Sequence, residues 1–138
     1  MTRQEAKNEL YPIKEIEKDI KAIELEIERL MTVATKMTPS YGNKTTAAQK
    51  NKIEEAIVKI EEYRARLSRK IIEKMDYKNR CIEKVEKIEP KSLQKVLIYY
   101  YFMDYTMEKT AEAIQRSYQW TYSMYQSALD EYCKISDT

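Results

Sequence analysis

From Ile13 onward the apolar residues of this chain fall at Ile13, Ile16, Ile20, Ile23, Ile27, Leu30, Ala34 and Met37. The intervals alternate between 3 and 4, the seam of a coiled coil held for nearly four heptads. Such a stripe exists to be covered by another helix. Composition agrees: Gly occurs once and Pro three times in 138 residues, too few for the frequent turns of a sheet protein. The chain therefore reads as all-α, one ordinary domain or a small domain with a helical extension.

Pro12 stands just before the seam, where it either opens the first helix or kinks an earlier turn formed by residues 3–11. The seam breaks at residues 38–43, where Pro39 forbids helix continuation and Gly42 permits a left-handed turn. A second long helix is expected from about Thr46 to Ile88, ended by Pro90. Its stripe is Ile53, Ile57, Ile60, Leu67, Ile71, Met75, Ile82, Val85 and Ile88, with Arg64, Lys74 and Lys78 interrupting it. At ~1.5 Å per residue the two helices reach about 50 and 65 Å. Joined by a loop at about 38–46, they should fold back antiparallel. Residues 1–89 thus read as a long coiled-coil-like helical hairpin. Leu25 and Ile72 lie off the main seams and point to a wider stripe, so a homodimer through the hairpin is an open expectation.

Residues 90–138 carry a different pattern. Ser92, Leu93, Val96, Leu97, Tyr100 and Tyr101 make one amphipathic helix. Thr106 caps a short helix to Ile114, Gln115 and Arg116 make a tight turn, and Ser117 caps a last helix to Cys133. Helix, tight turn and helix form the helix-turn-helix pattern, whose second helix enters the major groove of DNA. Gln119, Tyr122 and Gln126 should share the outward face with Tyr118 beside them, while Thr121, Met124, Ala128 and Tyr132 point inward. Gln bonds adenine through two hydrogen bonds, and Tyr bonds phosphate or packs on a thymine methyl. Thr106, Lys109, Arg116 and Ser117 are candidate phosphate anchors near the helix N-termini.

Charge does not follow that assignment. The net charge is only +2, and residues 91–138 hold five basic groups against six acidic ones. Residues 118–131 contain no Lys or Arg. The basic residues cluster instead at Arg66, Lys70, Lys74 and Lys78, at intervals of four along one stripe of the second helix. That stripe either grips a nucleic-acid backbone or pairs with Glu9, Glu15, Glu17 and Asp19 of the first helix, the simpler account. Eight of the twelve tyrosines lie after residue 90. Tyr99, Trp120 and Tyr125 are the candidates for a protein interface.

Val96 and Leu97 with Tyr101, then Thr106, Ala111, Ile114, Ser117, and Ala128 with Leu129 carry a resemblance. Residues 91–132 resemble region 4 of bacterial sigma factors. With Thr38, Pro39, Ser40 and Tyr41 added, the chain is similar to phage and prophage sigma-like late transcription regulators of the ArpU and RinA type. The resemblance implies a sigma-type helix-turn-helix in residues 90–138, promoter DNA as partner and RNA polymerase as a further one. Departures are marked. Asp104 and Gln115 stand where Gly is preferred, Thr110 and Thr121 replace core aliphatics, and the early arginines of the reading helix are absent.

There is no His, no cysteine pair at metal spacing, no Gly-rich phosphate loop and no Ser nucleophile motif, so neither an enzyme nor a metal or cofactor is expected. Cys81 and Cys133 lie far apart without a pairing framework, which fits a reducing cytosol. The N-terminus has no apolar signal core and no run is long enough for a membrane span, so an intracellular, cytoplasmic location is expected, and the resemblance implies that the cell is a bacterial host. Two functions remain open, with a structural coiled-coil assembly protein as a weaker third. One is a transcription regulator that reads double-stranded promoter DNA. The other is a protein-interaction module whose altered helix-turn-helix docks on a transcription partner.

Overall fold

A computed structural model describes residues 1–37 and 47–138, without the side chain of Met37. The expected loop at about 38–46, with Pro39, Gly42 and the match at Thr38 to Tyr41, lies outside the described residues. The chain is all-helical, with no strand among the described residues. In order it forms α1 (Arg3–Met37), α2 (Ala47–Glu86), α3 (Lys91–Leu97), a π-helical turn (Ile98–Phe102), α4 (Met107–Ile114) and α5 (Tyr118–Ser136). None of the described helices is long and apolar enough to cross a membrane.

Two compact units emerge, Met1–Glu17 with Met75–Thr138, and Lys18–Lys74. The boundaries fall inside the long helices rather than at residue 90. The cause is burial: the first turns of α1 and the last turns of α2 close the core of the C-terminal helices. Ala6, Leu10, Ile13 and Ile16 of α1 and Cys81 and Val85 of α2 are all buried, with Ile88 just beyond. They share that core with Val96, Leu97, Tyr101, Ala111, Tyr125, Ala128, Leu129 and Tyr132. Arg3 grips Asp130 of α5 through two hydrogen bonds of 2.6 and 2.7 Å. Lys14 reaches Asp104 and the Tyr105 carbonyl, each at 3.3 Å.

Of the two expectations for Pro12, the helix does not open there: residues 3–11 are already helical, and α1 begins at Arg3 and runs through the proline. Pro12 is exposed and leaves the Asn8 carbonyl without its helical N–H. One residue along, the Tyr77 hydroxyl donates to the Glu9 carbonyl at 2.5 Å. Lys84 bonds the Glu9 carboxylate at 2.9 Å and Lys78 bonds Glu17 at 2.8 Å. Numbers rise along α1 as they fall along α2, so these segments run antiparallel.

The stripe of α2 differs from the expected one. Its buried and half-buried positions include Ile60, Arg64, Leu67, Ile71, Lys74, Lys78, Cys81 and Val85, a strict alternation of 4 and 3. Arg64, Lys74 and Lys78 therefore occupy the seam instead of interrupting it, while Met75 is 51% exposed. Lysine can do this because its stem packs while its ammonium reaches out. In the second unit Lys74 ends on Asp19 at 3.2 Å. There Leu30 and Leu67 are buried, Ile20, Ile23, Ile27 and Ile57 stay half-buried, and Leu25 and Ile72 are exposed. Two helices can cover only one stripe of each other.

After α2, Gln94 donates to the Glu86 and Ile88 carbonyls at 2.9 and 2.6 Å, capping carbonyls that the helix end leaves open. The single α-helix expected from Ser92 through Tyr101 widens into a π-turn at Ile98, closed by Met103 N–H on the Ile98 carbonyl at 2.9 Å. The widened coil distributes three consecutive tyrosines. Tyr101 enters the core, Tyr100 packs edge-on against Tyr101 and Tyr125, and Tyr99 stacks on Tyr105.

Candidate nucleic-acid interface

The α4–α5 connection is built by short-range chemistry. The Thr106 hydroxyl accepts from Lys109 N–H at 3.1 Å and starts α4. Gln115 ends it in the left-handed region at φ 58°. Arg116 N–H bonds the Ala111 carbonyl and Gln115 N–H the Glu112 carbonyl, both at 3.1 Å, which is the Schellman arrangement. The Ser117 hydroxyl then accepts from Trp120 N–H at 3.1 Å and opens α5. Thr110 and Thr121 are fully buried, and each hydroxyl donates to the carbonyl of its own cap residue, at 2.9 and 2.8 Å. Both buried hydroxyls are thereby satisfied locally.

The first turns of α5 are open to solvent. Tyr118 is 48% exposed, Trp120 59% and Tyr122 40%, with Gln119 exposed between them. The expected outward face is shorter than anticipated, since Gln126 is half-buried. Thr121, Ala128 and Tyr132 are buried as expected, and Met124 is half-buried. Tyr125, expected at a protein interface, is instead core. Tyr118, Tyr122 and Tyr125 stand 4 and 3 residues apart, so the face that starts at Tyr118 rotates into the protein by Tyr125. Its burial pushes the Tyr125 hydroxyl's ionisation up.

Thr106, Lys109, Arg116 and Ser117 are all exposed around the connection. Lys109 places its ammonium 4.2 Å from the centre of the Tyr105 ring. Tyr99 is half-buried by its stack on Tyr105, with ring centres 5.6 Å apart. Trp120 lies in a groove of about 530 Å³ together with Leu93, Tyr99, Ile114, Lys95 and Arg116.

Lys74 and Lys78 of the basic stripe are held by Asp19 and Glu17 within their respective units, as the ion-pair account expected. Arg66 and Lys70 are exposed. Lys70 borders a shallow groove with Asp19 and Glu73, so its surroundings are of mixed charge.

The start of α1 adds residues that the helix-turn-helix pattern does not include. Lys7 and Tyr11 of α1 line a cleft with Tyr100, Tyr118 and Tyr122. Ala6 and Leu10 extend the apolar stripe back from Ile13 by steps of 3 and 4, which was the available signal. No protein-family model, curated protein or solved structure matches this chain.

Proposed function

We propose that this chain is a phage-derived transcriptional regulator, built as a coiled-coil-like helical hairpin with a C-terminal helix-turn-helix of the sigma region 4 type. It binds promoter double-stranded DNA through α5, in the cytoplasm of a bacterial host, and works with RNA polymerase. It is not an enzyme. The observation that carries the reading is the connection itself: two side-chain-capped helices joined by a Schellman turn, with Tyr118, Gln119 and Tyr122 open on the second. Lys109 and Arg116 stand at the turn as phosphate partners, and Gln119 supplies the donor–acceptor pair for a base edge.

The test is binding to duplex DNA from the gene's own neighbourhood, with random duplex as control and salt varied. Gln119→Ala combined with Tyr122→Ala should abolish the sequence preference. Few phosphate contacts predict a shallow salt slope. A steep slope without preference would point to Arg66 and Lys70 instead.

A second reading rests on Trp120. An indole 59% exposed beside an apolar groove is the kind of anchor that protein partners use. In that case Trp120→Ala abolishes capture of the polymerase or another transcription protein and leaves DNA affinity unchanged.

A further inference from the structure

Beside α5 the first unit holds a cleft of about 380 Å³, bordered by the start of α1, the π-helical turn and the first turns of α5. Tyrosine rings make its walls, from Tyr11, Tyr100, Tyr118, Tyr122 and Tyr125, and no carboxylate lines it. We propose that this cleft takes an unstacked nucleobase of a single-stranded nucleic acid, a proposal that deepens and rests on the reading of α5 as a nucleic-acid-facing helix.

The rings divide into a fixed floor and an open wall. Tyr100 packs edge-on to Tyr101 and Tyr125, with ring centres 4.9 and 5.2 Å away. Tyr101 and Tyr125 are buried and joined hydroxyl to hydroxyl. Tyr11, Tyr118 and Tyr122 are 59%, 48% and 40% exposed, so their faces are available. A flat aromatic guest matches such a wall, and stacking on it tolerates any base because every base has a π-face.

Charge selects among flat or aromatic-seeking guests. Lys7 lines the cleft, while the Lys14 ammonium, 3.8 Å from the centre of the Tyr100 ring, is held by Asp104. A quaternary ammonium guest, the usual occupant of an aromatic cage, would meet the Lys7 cation and no carboxylate on the lining. A base that carries its phosphate is drawn in by Lys7. On the rim the Gln4 amide donates to Asn8 at 3.0 Å, which leaves the Gln4 carbonyl and the Asn8 amide N–H groups to meet a base edge.

A base inside a duplex is stacked and paired and has no face to offer, so the cleft serves unpaired strands. This also accounts for the composition of α5. A helix that reads duplex mainly through phosphates needs arginine, whereas one that walls a stacking cleft needs tyrosine.

The test is fluorescence anisotropy of labelled oligothymidylate with the full chain at low salt, beside an abasic oligonucleotide of equal length and a duplex from the gene's neighbourhood. Tyr11 belongs to α1 and lies outside the helix-turn-helix, and its exposure makes Tyr11→Ala safe for folding. The expected result is oligothymidylate binding that weakens about tenfold in Tyr11→Ala and again in Tyr118→Ala, while Tyr11→Phe stays within about twofold. The abasic strand should bind about tenfold more weakly than oligothymidylate. Equal affinity for the abasic strand, or tyrosine variants that bind like the parent, overturns the proposal, as does absence of any single-strand binding. The duplex arm separates the two readings. Sequence-specific duplex binding without single-strand binding removes the cleft alone. Tyr11-dependent single-strand binding without duplex preference keeps the cleft and removes the promoter reader.

Discussion

The hydroxyls of Tyr101 and Tyr125 lie 2.5 Å apart, in a core where both residues are buried. Either can donate, and each hydroxyl meets its need through the other. Tyr101→Phe therefore strands the Tyr125 hydroxyl away from water and should cost about 1–3 kcal/mol. Replacing both by Phe removes the need together with the bond, so the double variant should be no less stable than either single one. Urea denaturation of the four-member cycle measures this, and simple additivity of the single effects would sink the paired account.

The same burial sets the response to alkali. Tyr101 and Tyr132 are pushed far above the ordinary tyrosine range, chiefly by desolvation, and Tyr77, Tyr100 and Tyr125 are raised for the same first reason. A raised acid favours the folded state only while it keeps its proton. The contribution is fully present below the unfolded value near pH ~10 and is lost as pH rises from there toward the folded values. Stability should fall steeply above about pH 10, with the tyrosinate absorbance of the buried tyrosines appearing in one cooperative step at unfolding. Gradual ionisation of all twelve tyrosines before loss of helix would contradict the buried cluster.

Much of this architecture was legible in the residues because it rests on local rules. The seam of α1 as far as Ala34, both caps and the strained turn at Gln115 each depend on a few neighbouring side chains, and all are observed. The features missed depend on distant partners. Lys74 and Lys78 look like breaks in a stripe until Asp19 and Glu17 receive their ammonium groups. Tyr125 looks like a surface aromatic until Tyr101 supplies its hydroxyl partner. The π-turn at Ile98 has no propensity signature, and the cleft unites Tyr11 with Tyr118, residues more than a hundred positions apart.

Lys74 offers a test of the seam. Its ammonium meets Asp19 at 3.2 Å, and the Asp19 side chain is 48% exposed, so the ion pair is well solvated. Such a pair contributes at most about 1 kcal/mol. Lys74→Met keeps the stem's packing at a heptad position and removes the need to lead a charge out of the seam. The variant should match or exceed the parent by up to about 1 kcal/mol in urea denaturation. A loss larger than that would mean that the ion pair fixes the antiparallel register.

Tyr132 poses the opposite case to Tyr101. Its hydroxyl is buried and makes no hydrogen bond of good geometry among the described residues, nor does one oxygen of the Glu9 carboxylate, although that carboxylate and the Cys81 thiol stand near enough to help raise its ionisation. The Lys84 ammonium serves the other Glu9 oxygen and lies 5.4 Å from the Tyr132 ring centre. Removing a buried hydroxyl that makes no well-formed bond lifts a desolvation cost and takes little interaction away. Tyr132→Phe should therefore be neutral or more stable by about 1 kcal/mol, where Tyr101→Phe is destabilising. A comparable loss in both variants would show that Tyr132 bonds Glu9 or Cys81 in solution.

Gln115 holds φ 58° and Asp104 φ 54°, the two non-glycine residues in the left-handed region among those described. A side chain with a Cβ is strained there by about 1 kcal/mol relative to glycine. Gln115 is exposed, and its backbone N–H makes the Schellman bond that any residue could make. Gln115→Gly should therefore stabilise the chain by roughly 0.5–1 kcal/mol, with α4 and α5 unchanged. Asp104→Gly relieves the same strain but removes the carboxylate that receives Lys14 at 3.3 Å, so its gain should be smaller. Urea midpoints for the two variants give the comparison. If Asp104→Gly gains more than Gln115→Gly, the Lys14 contact contributes nothing and the strain is greater at the π-turn end.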